Sequence, residues 1–347
     1  MKICSLTSYP PKPNCMTSAL YLNTEIGKLH RIDVHRWNYT GLWNTTIAPL
    51  LNYKSLNKTC QEHDIIHVQY DLGGYMPFFL PTLFLASKGT NAKIILTLHE
   101  EFDNVPLRPL VIAYHNLWYS IADLLIVHSP QQKNRLPTYL QKKTIIQPHG
   151  VIYREDANRN PKKSTILLPG FINPWKGHDI ALYALAEVKK QIPDIKLLII
   201  GKPHDKVFTE RMHTLAQTLH IEKNITWEEG YVPEEKFFEY YQTSSIGILP
   251  YKRITMSGIL CHILSWKLPT IFSDLPVFEW FTAHKAVYFR NGDSHNLAEK
   301  IIMLLKDKKR QEKMSIDFDN LAKQYSWKDT AQQTLKIYAE LVEKNHH

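Results

Sequence analysis

The chain has 347 residues, of which 44% are hydrophobic and 22% charged, and its formal net charge is +9. Only 13 residues are glycine, so the composition excludes collagen-like and disordered classes and predicts globular structure throughout. This length exceeds what one hydrophobic core usually holds, and we expect two domains. The modest positive charge suits phosphorylated small molecules or anionic lipid surfaces. Because the chain has no zinc-finger or RNA-recognition signature, we expect no nucleic-acid partner.

The N-terminal stretch MKICSLTSYPPKP has no apolar segment long enough for a signal peptide, and we interpret residues 3–6 as the start of a buried strand. The longest apolar run, residues 76–86, is interrupted by two prolines and is too short to span a bilayer. The four cysteines lie far apart without zinc-binding spacing, which is typical of reduced thiols in a cytosol. We therefore expect a cytoplasmic protein, either soluble or peripheral at the inner membrane surface.

Short aliphatic runs alternate with helical patterns along the chain. The runs occupy residues 65–70, 93–99, 123–129, 143–150, 164–170, 195–201, 224–230, 245–251 and 269–274. Continuous apolar runs bounded by Gly, Pro, Ser or Asp are typical of strands buried on both faces of parallel sheets. The pattern predicts a doubly wound α/β chain.

A polar stretch, residues 153–164, separates the fourth and fifth aliphatic runs. Its composition is typical of an interdomain linker. We therefore predict one Rossmann-like domain over residues 1–157 and another over residues 158–325.

The last segment of the chain, residues 326–347, has a helical pattern. It opens with Ser326, a favourable N-cap residue. Its apolar residues recur at helical spacing and are Ala331, Leu335, Tyr338 and Leu341. These positions predict a terminal helix with one apolar stripe.

The stretch PGFINPWKGHD, residues 169–179, joins a predicted strand to a predicted helix and carries Lys176 followed by Gly177. Ligands of open α/β sheets bind beyond the carboxyl ends of the strands, where helix N-termini attract anions. Lys176 adds a full positive charge there, so the loop suits a phosphate. The spacing differs from a Walker A loop, which excludes that type of NTPase. The plainer alternative is a solvated lysine beside a turn glycine.

A second strand-to-helix loop, YKRITMSGIL, places Ser257 and Gly258 at the start of a helix. Successive backbone amides there, with a glycine that permits close approach, form another potential anion site. Two such loops on one sheet can hold a diphosphate. The alternative is that Ser257 is only an N-cap and Gly258 only a packing glycine.

His99 directly follows the aliphatic run that ends in TLHE. A histidine titrates near neutral pH and can donate or accept a proton at the end of a strand. It is equally compatible with a structural role, because the chain contains 17 histidines.

Taken in order, the segments SYPP, HVQY, TLHE, DLLIVHS, IIQPHGV, GFINPWKG, LLIIG, GYVPEE, ILPYK, SGIL, LPTIFSD and YSW resemble the retaining glycosyltransferases of family 4. The resemblance covers essentially the whole chain. It implies the GT-B fold, in which two Rossmann-like domains face each other across a cleft and the C-terminal helix returns to the N-terminal domain. The implied reaction moves a hexose from a UDP- or GDP-sugar to a glycan, lipid-linked or other acceptor hydroxyl, with retention and without a metal or other cofactor.

The resemblance also implies roles for individual residues. Lys176 and His99 correspond to the catalytic positions, with Lys176 at the donor diphosphate and His99 near the sugar. The remaining donor-binding positions are Gly170, Tyr231, Val232, Tyr251, Ser257, Gly258, Ile259 and His262. Among these, Tyr231 and Val232 match the segment that meets the nucleobase.

Three positions depart from the family pattern. Phe171 stands where many members have an arginine, and Ile254 and His262 stand where many have two glutamates. The chain is similar to a subgroup that lacks the paired glutamates, which leaves the donor open. His262 either bonds the ribose or packs structurally. These departures also motivate a rival hypothesis, a non-catalytic relative that binds a nucleotide sugar or glycan as a partner subunit, and a second alternative is an inverting GT-B enzyme.

Other acidic and aromatic groups allow further interpretations. Asp317 and Asp319 form a DxD pattern, which we interpret as a solvated helix face rather than a manganese site. Glu100, Glu101 and Asp103 are compatible with an acceptor site or with an acidic helix start. The aromatic stretch over residues 73–84 is interpreted as core, with an acceptor-binding or membrane-facing surface as its alternative.

Overall fold

The computed structural model describes residues 1–9, 17–38, 48–70, 78–99 and 108–343. The chain divides into two compact units. Unit 1 comprises Met1–Gly150 with Tyr325–His347, and unit 2 comprises Val151–Gln324. Each unit contains one six-stranded parallel sheet, as the aliphatic runs predict.

Unit 1 alternates strands and helices. Its elements before residue 150 are β1 (Ile3–Tyr9), α1 (Thr17–Leu29), β2 (Ile32–Asn38), α2 (Ala48–Glu62), β3 (Ile65–Tyr70), α3 (Phe79–Ser87), β4 (Lys93–Leu98), α4 (Arg108–Tyr119), β5 (Leu124–Val127), α5 (Pro130–Arg135), α6 (Thr138–Gln141) and β6 (Thr144–Ile146). The strand order is β2-β1-β3-β4-β5-β6. The order reverses beside β1, and because crossovers are right-handed, the helices cover both faces of the sheet.

Unit 2 repeats this architecture. Its elements are β7 (Thr165–Pro169), a 3-10 helix (Pro174–Lys176), α7 (His178–Gln191), β8 (Lys196–Gly201), α8 (Lys206–Thr218), a 3-10 helix (Glu222–Asn224), β9 (Ile225–Glu229), α9 (Glu234–Thr243), β10 (Ile246–Leu249), α10 (Gly258–Ser265), β11 (Thr270–Ser273), α11 (Pro276–Phe281), β12 (Val287–Phe289), α12 (Ser294–Lys306) and α13 (Lys308–Gln324). The strand order is β12-β11-β10-β7-β8-β9. The order reverses between β7 and β10, so the loops that follow these two strands are neighbours at the carboxyl end of the sheet.

The terminal helix α14 (Trp327–Glu343) belongs to unit 1 and packs beside α1. Its buried face differs from the predicted stripe. The fully covered residues are Trp327, Thr330, Ala331, Thr334 and Tyr338, whereas Leu335 and Leu341 are only partly covered. Two threonines therefore replace the predicted leucines on the buried face, and the Gln147 side chain bonds the Thr334 hydroxyl and the Thr330 backbone oxygen.

Two strands, β2 and β12, have no counterpart among the predicted aliphatic runs. Both lie at the edge of a sheet, where only one neighbouring strand contributes hydrogen bonds. Strand β2 has the sequence IDVHRWN, and β12 has only three residues. Edge strands do not need the continuous apolar runs that mark buried parallel strands.

The predicted linker over residues 153–164 is attached to unit 2. The Arg154 guanidinium lies over the rings of Phe238 and Trp266, at 4.2 and 5.0 Å from their centres. Arg159 donates to the backbone oxygens of Ser244 and Ser245, at 2.6 and 3.1 Å. The polar residues anchor the segment to the surface of unit 2, so the boundary lies after residue 150 rather than after residue 157.

The described cysteines Cys4, Cys60 and Cys261 are buried and form no disulfide with one another. Burial raises the pKa of Cys60 to about 11. Among the helices that the structure describes, none combines the length and the apolar character needed to cross a bilayer.

Candidate functional site

The loop after β7 is shaped by glycine and by an asparagine cap. The Asn173 side-chain oxygen accepts a hydrogen bond from the Lys176 backbone nitrogen at 3.1 Å and starts the short 3-10 helix. Gly177 follows with φ of +71°, and a Cβ atom there would lie 1.8 Å from the Pro250 backbone oxygen. Only glycine permits this approach, which fixes the loop against the segment that leaves β10.

Lys176 points its ammonium group at the face of a buried tyrosine. Its Nζ atom lies 3.5 Å from the ring centre of Tyr251, a cation–π geometry. Burial lowers the pKa of Lys176 to about 7. Within the described part of the chain, Lys176 forms no ion pair with a carboxylate. Among the described residues, the Lys176 amine is thus held in place without a carboxylate counter-ion.

The loop after β10 leads into α10 through Ser257. Ser257 is buried, but its side chain makes no capping hydrogen bond to the helix. Burial raises the pKa of Tyr251, and the Ser257 side chain beside its hydroxyl offsets part of that rise. The first-turn amides at Gly258 and Ile259 therefore lack the usual side-chain acceptor, which leaves the positive end of α10 open to an anion.

Gly258 and Gly170 differ in what surrounds them. Nothing lies within 4 Å of a Cβ atom built on Gly258. Gly170 has φ of +114°, and a Cβ atom there would lie 3.3 Å from Ile259 Cγ1 and 3.7 Å from the Tyr251 hydroxyl. The loops after β7 and β10 are therefore in contact. This contact brings together six of the predicted site residues: Gly170, Lys176, Tyr251, Ser257, Gly258 and Ile259.

The predicted nucleobase segment lies further along the same edge of the sheet. Tyr231 and Val232 follow β9, which is two strands away from β7 in the order β7-β8-β9. Tyr231 is 74% exposed, so its ring is available to a planar ligand. Strand β8 lies between β7 and β9. Its last residue, Gly201, has φ of +149°, and a Cβ atom there would lie 2.1 Å from the Gly170 backbone oxygen.

His262 lies on the second turn of α10 and faces α9. Its ring centre is 5.4 Å from that of Phe237, 6.1 Å from Tyr241 and 6.4 Å from Phe238. Of the two interpretations that the sequence allowed, this aromatic packing matches the structural one. The structure does not bring His262 into the Lys176 cluster.

Sequence reasoning missed two neighbours of Lys176 that lie inside the same motif. His178 is 1% exposed, and neither ring nitrogen has a hydrogen bond of normal geometry. Burial lowers the pKa of His178 to about 4. Asp179 pairs with Lys252 at 2.7 Å, which ties α7 to the second loop. Their position directly after WKG in the sequence was the signal that could have identified them as neighbours of Lys176.

In unit 1, His99 follows β4 and has both ring nitrogens engaged. Nε2 lies 2.8 Å from the Gln69 side-chain oxygen, and Nδ1 lies 3.3 Å from His128 Nε2. Burial, His128, His149 and His67 hold the pKa of His99 well below its usual range. Sequence reasoning missed Gln69 and His128, although both stand at strand ends in the motifs HVQY and IVHS.

The DxD residues lie on α13 and are paired with lysines. Asp317 lies 2.8 Å from Lys313 and 3.5 Å from Lys285, and Asp319 lies 2.9 Å from Lys267. In the described ranges, no group of three or more His, Cys, Asp or Glu side chains is arranged to hold a metal ion.

The candidate acceptor residues are described only in part. Glu100, Glu101 and Asp103 lie outside the described residues, as do residues 73–77 of the aromatic stretch. The rest of that stretch forms much of α3, in which Phe79, Leu80 and Leu83 are buried. Phe84 is 37% exposed. The stretch is therefore partly core, as predicted, with exposed aromatic surface at its end.

Comparisons with known proteins concern the family and the fold of this chain. Residues 152–317 match the family "Glycosyl transferases group 1". The chain is 20% identical over 307 residues to a D-inositol 3-phosphate glycosyltransferase of Corynebacterium aurimucosum, covering 81% of this chain and 72% of that protein.

Solved structures share the fold of the whole chain. A glycosyltransferase from Rickettsia africae has a TM-score of 0.79 at 18% identity, with 99% of each chain covered. Anabaena HepE in complex with UDP has a TM-score of 0.76 at 14% identity, with 98% of this chain and 100% of that chain covered. Its complex with UDP-glucose has a TM-score of 0.72 at 14% identity, covering 99% and 100%. Residues 152–317 of unit 2 are thus similar to the group 1 glycosyltransferases, and the chain has the GT-B fold of these solved structures.

Proposed function

We propose that this chain transfers a hexose from a UDP- or GDP-sugar to a hydroxyl group of a glycan or lipid-linked acceptor, with retention and without a metal. The observation that carries this proposal is the position of Lys176. Its ammonium group is fixed over Tyr251, lacks a carboxylate partner in the described residues, and lies in the loop that contacts the start of α10. A positive charge and open helix amides at one sheet edge favour a diphosphate.

We assign the donor to unit 2. The diphosphate would contact Lys176 and the amides at Gly258 and Ile259, and the exposed ring of Tyr231 would stack on the nucleobase. HepE, which shares this fold, has been solved with UDP and with UDP-glucose, and this supports a uridine nucleotide. The D-inositol 3-phosphate glycosyltransferase among the relatives supports transfer to a hydroxyl group of a small polar acceptor.

Lys176 would act on the leaving group. With a pKa of about 7 it is partly neutral in the free protein, and an arriving diphosphate would draw a proton onto it. The resulting ammonium group stabilises the charge that grows on the departing diphosphate. We assign the acceptor to unit 1, with His99 as its candidate catalytic group.

The first test is Lys176→Ala. Removal of one preorganised charge from a leaving group costs roughly 3 kcal/mol in the transition state, so turnover should fall by about a hundredfold. A thermal-shift screen over UDP- and GDP-sugars would select the donor, and donor hydrolysis and transfer would then be measured. Lys190→Ala, in the last turn of helix α7 that follows the Lys176 loop, is the control and should keep the wild-type rate. A Lys176→Ala enzyme with the wild-type rate would contradict the assignment.

A second candidate function is a non-catalytic subunit that binds a nucleotide sugar. It is favoured by Phe171, 46% exposed where many relatives carry an arginine, and by the engagement of both His99 nitrogens within unit 1. Calorimetric titration with UDP- and GDP-sugars, followed by hydrolysis and transfer assays, separates the two functions. Tight binding without any turnover supports this candidate, and the anomeric configuration of a product by NMR distinguishes retention from inversion.

We also propose that the chain associates peripherally with lipid through α3 and α4. Phe84 on α3 lies beside Trp118 on α4, at 6.1 Å between ring centres. Leu85, Leu110 and Leu117 are 49%, 68% and 60% exposed. Co-sedimentation with vesicles containing anionic lipid should therefore weaken in Leu110→Ser, and it should not change in Val207→Ser, an aliphatic residue of unit 2 that is 58% exposed. Equal sedimentation of both variants would contradict this surface.

A further inference from the structure

His99 is one node of a continuous hydrogen-bonded chain of side chains in unit 1. Tyr338 on α14 lies 2.5 Å from His67 Nδ1, and His67 Nε2 lies 3.2 Å from the Gln69 amide nitrogen. The Gln69 oxygen lies 2.8 Å from His99 Nε2, and His99 Nδ1 lies 3.3 Å from His128 Nε2. Four of these five residues are at least 93% buried, and His99 is the node that is partly exposed.

The direction of this chain is set at one end by a backbone carbonyl. His128 Nδ1 lies 3.0 Å from the Gln147 backbone oxygen, which can only accept a hydrogen bond. His128 Nδ1 must therefore carry a proton. Burial lowers the pKa of His128 to about 3, so this ring is neutral and its Nε2 is an acceptor. His99 Nδ1 must then carry the proton that His128 Nε2 accepts.

The amide of Gln69 consequently distinguishes two states of His99. With its oxygen toward His99, as in the structure, Nε2 must also donate, so both His99 nitrogens carry protons. With the amide rotated by 180°, its nitrogen donates to a bare Nε2 and His99 is neutral. Each orientation leaves every member of the chain with a partner, because His67 can change tautomer and the hydroxyl of Thr97, 2.7 Å from His67 Nε2, can either donate or accept.

We propose that Gln69 is the positioning residue of His99, and that rotation of its amide lets His99 gain or lose a proton at Nε2 while the ring nitrogens of His67 and His128 keep a partner. This inference rests on the proposed function only for the use that is made of the proton. In the neutral state Nδ1 is always the protonated nitrogen, so Nε2 is the single position at which a proton enters or leaves the ring.

The surroundings of His99 explain why such a device matters. Among the residues that the structure describes, the titratable groups that face it are His67 from β3, His128 after β5 and His149 after β6, and burial together with these rings disfavours a positive charge on His99. No carboxylate among the described residues offsets them. An oxygen that can be turned toward Nε2 is the available source of stabilisation for the protonated ring, and a bound substrate that presents an anion would add to it.

The test uses the full chain labelled with ¹⁵N-histidine. Long-range ¹H–¹⁵N spectra between pH 5 and 8.5 report which ring nitrogens are protonated, and the signals of His99 are those lost in His99→Gln. We expect the wild-type ring at pH 7.5 to be protonated at Nδ1 alone. A ring protonated at Nε2 alone would overturn the proposal, and this measurement needs no variant at position 69.

Two variants at position 69 sharpen the result. Gln69→Glu supplies a fixed acceptor, so the His99 titration should move upward by at least about one pH unit, a tenfold change, and the doubly protonated ring should persist to a higher pH than in the wild type. Gln69→Leu supplies neither group and should move the titration downward. Gln311→Glu, another buried glutamine, is the matched control and should leave the His99 signals unchanged. Unchanged His99 signals in a folded Gln69→Glu protein would overturn the proposal.

Kinetics then separate this inference from the proposed function. In Gln69→Glu, the acidic limb of the kcat/KM profile should move with the titration seen by NMR, while KM for the donor stays within about twofold. If the His99 titration shifts in the variants but neither they nor the wild type transfer a sugar, the positioning role of Gln69 is supported and the enzymatic proposal fails. If turnover is present but its pH profile ignores the shift, His99 is not the group that the relay serves and the positioning role is refuted.

Discussion

The buried polar groups around His99 in unit 1 and around Lys176 in unit 2 differ in whether they have hydrogen-bond partners. In unit 1, the side chains of His67, Gln69, His99 and His128 find partners in one another. In unit 2, next to Lys176, the Tyr251 hydroxyl and both nitrogens of His178 have no hydrogen bond of normal geometry. Each unsatisfied buried group costs about 1–3 kcal/mol. Within the described residues, the cluster around His99 is therefore satisfied by its own members, whereas the loops around Lys176 retain unused hydrogen-bonding capacity and charge for a ligand.

Glycines let the backbones of the unit 2 loops approach one another closely. Gly177→Ala would place a methyl group 1.8 Å from the Pro250 oxygen at a positive φ, and we expect it to lower the free energy of unfolding by about 3 kcal/mol or more. Urea denaturation measures this. Gly258→Ala is the matched control, because nothing lies within 4 Å of its added methyl group.

Gly258→Ala should keep the free energy of unfolding within about 0.5 kcal/mol of the wild type, because the added methyl group meets no protein atom. It should still weaken donor binding, because the methyl group would occupy space that we assign to the ligand. Titration calorimetry with the selected nucleotide sugar measures the binding. If the variant unfolds easily or binds as tightly as the wild type, the space above Gly258 has another explanation.

Two fully buried tyrosines test the contrast directly. Tyr338→Phe removes a hydroxyl that is bonded to His67 in unit 1, so we expect a loss of about 1–2 kcal/mol in the free energy of unfolding. Tyr251→Phe removes a buried hydroxyl of unit 2 that has no hydrogen bond of normal geometry, so it should cost no stability and should raise the free energy of unfolding by about 1 kcal/mol or more. Thermal and urea unfolding of both variants decide the matter, and equal losses would refute the contrast between the units.

The smallest expected effect is a proton linkage at Lys176. The unfolded chain holds this proton up to pH 10.5, whereas the folded protein releases it above about pH 7, so the free fold gains stability as pH rises through that window. A bound diphosphate raises the pKa again. Donor binding should therefore take up a proton above pH 7 and weaken by up to about tenfold per pH unit.

Calorimetry in buffers of different ionisation enthalpy measures that proton uptake. Lys176→Met retains much of the side-chain volume and should abolish it. Proton uptake that persists in Lys176→Met would assign the linkage to another group.

The parallel architecture was predictable from sequence because strands buried on both faces must be continuous aliphatic runs, whereas β2 and β12 escaped because edge strands need not be. The location of Lys176 and Ser257 at one edge of the sheet was predictable, because each follows such a run and neighbouring parallel strands end on the same side. The contact of Gly177 with Pro250 depends on two segments more than 70 residues apart in sequence. The partners of His99 belong to different strands, and pattern reasoning within one segment does not connect them.

The position of α14 has a consequence for biosynthesis. Unit 2 is one uninterrupted stretch, but unit 1 needs Trp327 and Tyr338 from the far end of the polypeptide to complete its packing and the partners of His67. A ribosome translates about 5–20 residues per second, so the middle of the chain can reach its final fold while the beginning still waits for the last helix. Nascent unit 1 thus spends part of translation with an uncovered face, and this interval is where chaperones would be expected to act.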